Sequence, residues 1–350
     1  MSENDMIERF GKQLNMKSLN RDLDKIRRYG EEGRNNCAKY FLSQASDNVC
    51  CRICGSDDTK HFIKMNSQSS FSYDYNICNR CGSVFLKNLP DIKKMYTTED
   101  ASANLPEYIS KDIYERRIEM ISAPKVNFVL DTCRHEGVDP KNWLDIGCGG
   151  GEILSFLKAN TEIKGMGIES DPKELAFART LNLDIYDGFI DVENENLEIS
   201  QLLHQHDVVS MINVLEHVED PAKLVDYLCN QMHDDALFVV EVPRHPSVAA
   251  FANQTYDSLI YRHIVPPIHL QIFSEKSLDM LLGDRFDILG KWRYGQGFTD
   301  LINYAAIQSE PENMELYDLI MQKSNEIQKT VDEAGLADVI LLVARKRAAH

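Results

Sequence analysis

The sequence predicts an α/β protein: a mostly parallel sheet with helices on both faces, preceded by a small four-cysteine module and a helical N-terminal arm. Three observations carry that prediction. From residue 142 onward, short apolar runs alternate with longer amphipathic ones. A loop with four glycines, Gly147, Gly149, Gly150 and Gly151, joins the first of those runs to a helical segment. Two C-x-x-C pairs lie well ahead of it, at Cys51/Cys54 and Cys78/Cys81. At roughly 150 residues per domain, a chain of 350 residues accommodates such a division into two parts.

In chain order, residues 1–45 are charged, with Leu14, Leu19, Leu23 and Ile26 at spacings of three to five, which predicts one or two amphipathic helices. The charged run 21–28 reads as a solvated helix face. Residues 46–90 hold both cysteine pairs, and 91–124 read as a helical linker carrying Tyr96, Tyr108 and Tyr114. The domain from 125 to 350 then opens with a helix at 125–135. Strands are predicted at 143–146, 165–169, 184–186, 207–212 and 236–242, separated by helices at 152–159, 172–181 and 221–232. Two further strands, 286–294 and 338–345, flank helical segments at 298–306 and 312–331.

Net charge is −17, from 38 basic and 55 acidic residues. An acidic surface repels phosphate backbones and disfavours a general nucleic-acid binder. The longest clean apolar run, 339–344, is strand-sized and far short of a membrane span. The first ten residues, MSENDMIERF, are polar and acidic, unlike a secretory signal, so a cytoplasmic location is expected.

In a reducing compartment, paired cysteines point to metal or redox chemistry. Each C-x-x-C-Gly unit puts two thiolates on one tight turn, and two such turns supply the four soft ligands of tetrahedral zinc. The 23 residues between Cys54 and Cys78 leave room for a hairpin. A structural zinc on Cys51, Cys54, Cys78 and Cys81 is therefore expected. Cys50 is an alternative to Cys51, which is preferred because it repeats the spacing of the second pair. A matched second pair makes a thioredoxin-like redox role the weaker reading.

The loop runs Asp145-Ile146-Gly147-Cys148-Gly149-Gly150-Gly151-Glu152. Glycines let backbone approach a ligand closely at a helix start. A dinucleotide fingerprint needs glycine at its sixth position, where Glu152 stands, so a nicotinamide-dependent oxidoreductase is disfavoured. An acid just before the loop suits a ligand with an ammonium group. Glu169, ending the next strand, is placed to accept two ribose hydroxyls.

These residues, with the later stretch 207–221 that contains Leu215-Glu216-His217-Val218-Glu219-Asp220-Pro221, resemble the class I S-adenosylmethionine-dependent methyltransferases over about 142–243. The resemblance implies a Rossmann-like seven-stranded sheet and S-adenosylmethionine as cofactor. It implies that Gly147 and Gly149, in the loop ending at Gly151, line the methionine moiety with Asp145 beneath. Glu169 would hold the ribose, Asp187 would lie near the adenine, and Asn213 beside the sulfonium. The cysteine module ahead of such a domain resembles the zinc-containing methyltransferases of bacterial sugar and secondary metabolism. Some of those C-methylate ketosugars with a Tyr-His-Glu-His cluster, of which only His269 stands here, the others being Pro266, Pro267 and Ile268. Removing a proton from carbon needs more help than removing one from a hydroxyl, so O-methylation of a small-molecule acceptor, such as a sugar nucleotide, is the expectation.

His269 is the candidate general base, with a structural hydrogen-bonding role as its alternative. His217 is a second candidate, for which capping or packing at its turn is the plainer reading. Tyr261, Arg262 and His263 fall in a segment expected to line the acceptor pocket. Net negative charge would repel an anionic acceptor, so a locally basic pocket using Arg244, Arg262 and Arg293 is expected. Two rival functions remain at this stage. One is an RNA or protein methyltransferase gripping its substrate through the zinc module, for which Arg52, Lys60, Arg80 and Lys87 are a thin basic set. The other is a cofactor-binding protein without turnover.

Overall fold

Parallel strands dominate the computed structural model, which describes residues 6–11, 50–66, 72–89, 111–255, 263–264, 268–309 and 314–348. The strands are β1 (Ile7–Phe10), β2 (Thr59–Asn66), β3 (Ser72–Cys78), β4 (Val84–Leu86), β5 (Asn142–Ile146), β6 (Lys164–Glu169), β7 (Ile185–Asp187), β8 (Val208–Ile212), β9 (Leu237–Pro243), β10 (Gln271–Ile272), β11 (Phe286–Tyr294) and β12 (Val339–Lys346). Eight form one sheet in the order β1-β11-β12-β9-β8-β5-β6-β7. β5 pairs in parallel with both β6 and β8, and β12 runs antiparallel between β9 and β11. Chain order therefore reverses at β5: β6 and β7 lie to one side, β8 and β9 to the other. The crevice at the carboxyl ends of β5 and β8 is where open α/β sheets bind ligands.

Alternation along the central strands sorts their side chains onto two faces. Leu144, Val209, Met211, Phe238, Val240 and Leu342 enter one core. Trp143, Val208, Leu237, Val239, Leu341 and Val343 enter the other, against helix Ala123–His135. Both faces are covered, which is why these strands read as near-continuous apolar runs. The helices start where sequence signals place them. Asp220 caps Pro221–Gln231 by accepting from the Lys223 N–H, and Asp171 caps Pro172–Thr180.

Three expectations change. The sheet has eight strands, not seven, because Ile7–Phe10 adds to the edge beside β11. That stretch was expected to be helical. A four-residue edge strand is too short to show its period, and its position is set by partners distant in sequence: Arg9 reaches Asp131 at 2.9 Å and lies over the Phe128 and Trp292 rings. The helices predicted through the rest of the arm fall in 12–49, outside the described residues, as does linker 90–110. Helices Leu197–Gln205, Val248–Thr255 and Glu275–Leu282 are additional to those predicted.

The second sheet, β10-β4-β3-β2, is antiparallel. Three of its strands come from the cysteine module. The fourth is Gln271–Ile272, from the segment that follows His269. Arg52, half-buried, donates to the Leu86 and Leu270 carbonyls at 2.7 and 3.3 Å, and the Tyr75 hydroxyl donates to the His269 carbonyl at 2.8 Å. The module thus holds the segment carrying His269 through side-chain hydrogen bonds to its carbonyls, each worth about 1 kcal/mol net.

Candidate functional site

At the first knuckle the Gly55 N–H closes on the Cys51 carbonyl at 2.8 Å, and at the second the Gly82 N–H closes on that of Cys78 at 2.9 Å. These matching turns bring the sulfurs of Cys51, Cys54, Cys78 and Cys81 within 4.8 Å of one another, with Cys51 3.5 Å from Cys81 and Cys54 3.6 Å from Cys78. Tetrahedral thiolates on a zinc ion with ~2.3 Å bonds would sit roughly 3.8 Å apart, so the cluster fits the metal. Cys50 is not among the four.

In the crevice, the loop after β5 folds against the end of β6. The Gly147 N–H donates to the Ile168 carbonyl at 2.8 Å. Glu169 fixes the loop from the side: its carboxylate accepts the N–H groups of Gly149, Ser170 and Asp171 at 2.8, 2.7 and 2.8 Å. Gly147 takes φ +67°, and a Cβ there would lie 2.7 Å from Val214. Only glycine lets the loop approach the turn after β8 so closely. At Gly149, φ is +52° and an added Cβ would meet nothing nearer than the Glu174 carboxylate at 3.9 Å, an ordinary van der Waals contact. A cradle of backbone with an acid at its rim suits the adenosyl and methionine parts of S-adenosylmethionine.

Asp145 lies buried in the strand leading to the loop, with its carboxyl accepting from the Ser210 hydroxyl at 2.5 Å. Burial pushes it up to about 7. Asp187 is exposed and paired with Arg179 at 2.9 Å. Asn213 adopts φ +54°, a conformation Asn tolerates better than most side chains. Its side chain donates to Glu241 at 3.0 Å.

Sequence reasoning missed the polar core behind Asn213. Buried Glu241 also accepts from Lys125 at 2.7 Å and from the Tyr294 hydroxyl. Burial beside that carboxylate raises Tyr294 well above the usual phenol value. Tyr114 was read only as part of a linker. Its hydroxyl donates to the Gly150 carbonyl at 3.0 Å and meets Ser155 at 2.8 Å, which locks the glycine loop from outside. The Asp before the loop and the acid ending β6 were visible as motif positions. Lys125, Glu241 and Tyr114 had no such local signal, because their partners lie 36 to 116 residues away.

The two candidate histidines stand together, one in the turn after β8 and one just before β10. Their rings are 5.1 Å apart, and Glu216, fully buried, lies beside both. The His217 Nδ1 bonds the Ile268 carbonyl at 2.9 Å, and the His269 Nδ1 the His263 carbonyl at 2.7 Å. Burial, with His217 adding to it, pushes His269 down to about 3, so it is neutral at ordinary pH. His263 is buried and meets Ser247 at 3.2 Å, while Tyr261 and Arg262 lie outside the described residues.

The expected basic pocket is not formed by Arg244 and Arg293. Arg244 is buried, bonding the Pro246, Gly335 and Ala337 carbonyls and the Glu275 carboxylate. Arg293 is held by Glu275 at 2.7 Å and by Glu8 at 2.9 Å. Both guanidiniums are consumed in tying chain segments together, a role that sequence position does not reveal. No helix among the described residues is long and apolar enough to cross a membrane.

A family model described as a methyltransferase domain matches residues 114–285. The chain is 32% identical over 111 residues to a ubiquinone biosynthesis O-methyltransferase of Proteus mirabilis, covering 31% of this chain and 43% of that protein. It is 29% identical over 109 residues to the protein of the same description from Yersinia pestis, covering 31% and 44%. The match thus spans less than half the length of these relatives. Among solved structures, the plantazolicin methyltransferase BamL, determined with a triazolic desmethylPZN analog and SAH, superimposes with a TM-score of 0.45 at 12% identity, covering 73% of this chain and 94% of that one.

Proposed function

We propose that the protein, whose residues 114–285 match a methyltransferase-domain model, transfers a methyl group from S-adenosylmethionine to a hydroxyl of a small molecule, a sugar nucleotide or related secondary metabolite being the first class to try. The observation that carries this reading is the crevice between the ends of β5 and β8. There the glycine loop, Glu169 and Asn213 supply a cradle, a diol acceptor and an amide within one cleft. The cofactor, when bound, supplies an electrophilic methyl group with a good leaving group.

The residues of this chain then have mostly positional work. Gly147 and Gly149 line the methionine side and Glu169 takes the ribose. A carboxylate has about four acceptor sites and Glu169 uses three on backbone N–H groups, so ribose binding draws on its remaining capacity. Asn213 is held toward the reacting end by Glu241, itself charge-compensated by Lys125. Holding nucleophile and methyl in line is the chief source of acceleration in such displacements. Glu216, His217 and His269 form the acceptor-side wall that handles the hydroxyl proton.

The zinc module serves this site structurally, since its sheet includes the strand after His269. Engagement of the Arg52 guanidinium by the Leu86 and Leu270 carbonyls removes one of the few cations that a macromolecule-gripping module would present. The test is His269→Ala. Turnover should fall by ~10²–10⁴ with S-adenosylhomocysteine affinity retained; unchanged turnover removes this wall from the reaction.

A further inference from the structure

We propose that Glu216, His217 and His269 form a second metal centre, separate from the four cysteines, that takes a divalent cation of the zinc class. The three side chains come from two segments, the turn after β8 and the approach to β10, and their ligand atoms converge to within 4.8 Å. They approach without bonding one another. Glu216 Oε1 lies 3.8 Å from His217 Nε2 and 4.0 Å from His269 Nε2. Those separations are too long for hydrogen bonds. They are close to the roughly 3.4 Å that separates neighbouring ligands on one ion with ~2.1 Å bonds.

The orientation of each ring is already set. A carbonyl oxygen only accepts, so the Nδ1 atoms that meet the Ile268 and His263 carbonyls must donate. At His269 this leaves Nε2 as the basic nitrogen of a neutral ring near the carboxylate, the arrangement in which metal-ligating histidines are held by an outer partner, and at His217 a backbone carbonyl likewise orients the ring. Glu216 supplies the independent sign. It is 0% exposed, and neither carboxylate oxygen accepts a hydrogen bond from the described residues. A buried carboxylate without donors costs several kcal/mol unless a proton or a cation compensates it. The frame is rigid as well. The Leu270 N–H bonds the Glu216 carbonyl at 2.8 Å, and the Gln271 side chain bonds the Leu215 and Val218 carbonyls at 3.0 and 2.7 Å.

Two imidazoles and one carboxylate suit zinc, iron(II) or manganese, whereas magnesium and calcium call for an all-oxygen shell. Three protein ligands leave a coordination position open. Its use in catalysis rests on the function proposed above: an acceptor hydroxyl bound there becomes more acidic and gives its proton to water. The oxygen then bonds the methyl carbon as the carbon–sulfur bond breaks, and the neutral thioether leaves.

The test is cobalt(II) titration of the full-length protein stripped with chelator, alongside Glu216→Gln and His269→Gln. Wild type should bind one equivalent more than either variant at matched free cobalt, with a loss of roughly 100-fold or more in affinity for that equivalent in the variants. The additional cobalt should lack the thiolate charge-transfer band of the cysteine site. Calorimetry with S-adenosylhomocysteine verifies that each variant is folded. Equal cobalt binding by wild type and a folded variant overturns the centre, as does thiolate absorption by every bound ion. If the second ion binds but no acceptor is methylated, the metal centre stands and the functional reading fails. If methyl transfer runs at full rate with the second equivalent removed, the catalytic use of the ion fails.

Discussion

Gly149→Ala separates ligand space from protein packing more cleanly than any other single change in the loop. In the folded chain the added Cβ meets nothing nearer than Glu174 at 3.9 Å, so packing tolerates it. The residue sits at φ +52°, where a side chain costs about 1–2 kcal/mol of backbone strain. Spread over a chain of this size, that lowers the melting temperature by only a few degrees. If Gly149 lines the methionine as proposed, the methyl group nevertheless projects into the space that the cofactor would fill. Affinity for S-adenosylhomocysteine should fall ~100-fold or more, about 2.8 kcal/mol. Gly151→Ala gives the opposite pattern. Its Cβ would lie 2.3 Å from Leu183, so the protein itself must shift, and stability should fall further than for Gly149→Ala. Calorimetric titration and thermal melting of both variants read the two effects. Wild-type affinity in folded Gly149→Ala would refute the assignment of the loop to the cofactor.

Three further outcomes follow from the packing around the site. Lys125→Met strips Glu241 of its buried cation and should cost about 3–5 kcal/mol in urea unfolding, because an uncompensated buried carboxylate is left behind. Tyr114→Phe deletes the hydroxyl that bridges Gly150 and Ser155. It should cost about 1 kcal/mol of stability and weaken S-adenosylhomocysteine binding several-fold, both measurable on the same preparation. Hydrogen bonding from Arg293 holds Glu275 down at about 2, below the ordinary value of 4.5. A carboxyl depressed in the folded state stabilises above its unfolded value and loses that contribution as pH falls toward its folded value. The stability advantage of wild type over Glu275→Gln should therefore be present at pH 6, on the order of 2–3 kcal/mol, and shrink steadily between pH 4.5 and 2.

The α/β order was legible because the central strands are buried on both faces and the helices carry their own caps. Val208–Ile212 and Leu237–Pro243 read as apolar runs, and Asp220-Pro221 announces a helix start. The glycine loop was legible for the same local reason: turn, ligand approach and helix start all require adjacent residues. The cysteine cluster could be read from spacing, since each pair fits one turn. What stayed hidden depends on distant partners. Ile7–Phe10 becomes a strand only because β11 lies beside it. Gln271–Ile272 completes the sheet of the cysteine module from a point some 185 residues later in the chain, which no local pattern signals. Arg244 and Arg293 looked available for an anionic acceptor, yet each is enclosed by Glu275 and backbone carbonyls or by Glu8. Glu216 looked like one letter of a motif, and only burial reveals it as a carboxylate without donors among the described residues.

The central claim is transfer of a methyl group from S-adenosylmethionine to a small hydroxylated acceptor. Its most direct test is formation of S-adenosylhomocysteine by the wild-type protein supplied with S-adenosylmethionine and a panel of sugar nucleotides and hydroxylated metabolites. The products are resolved by mass. The account predicts equimolar S-adenosylhomocysteine and an acceptor heavier by one methyl group on oxygen, with both lost in Gly149→Ala at limiting cofactor. A protein that binds no S-adenosylhomocysteine, or that methylates carbon or a macromolecule in preference to the panel, would contradict it.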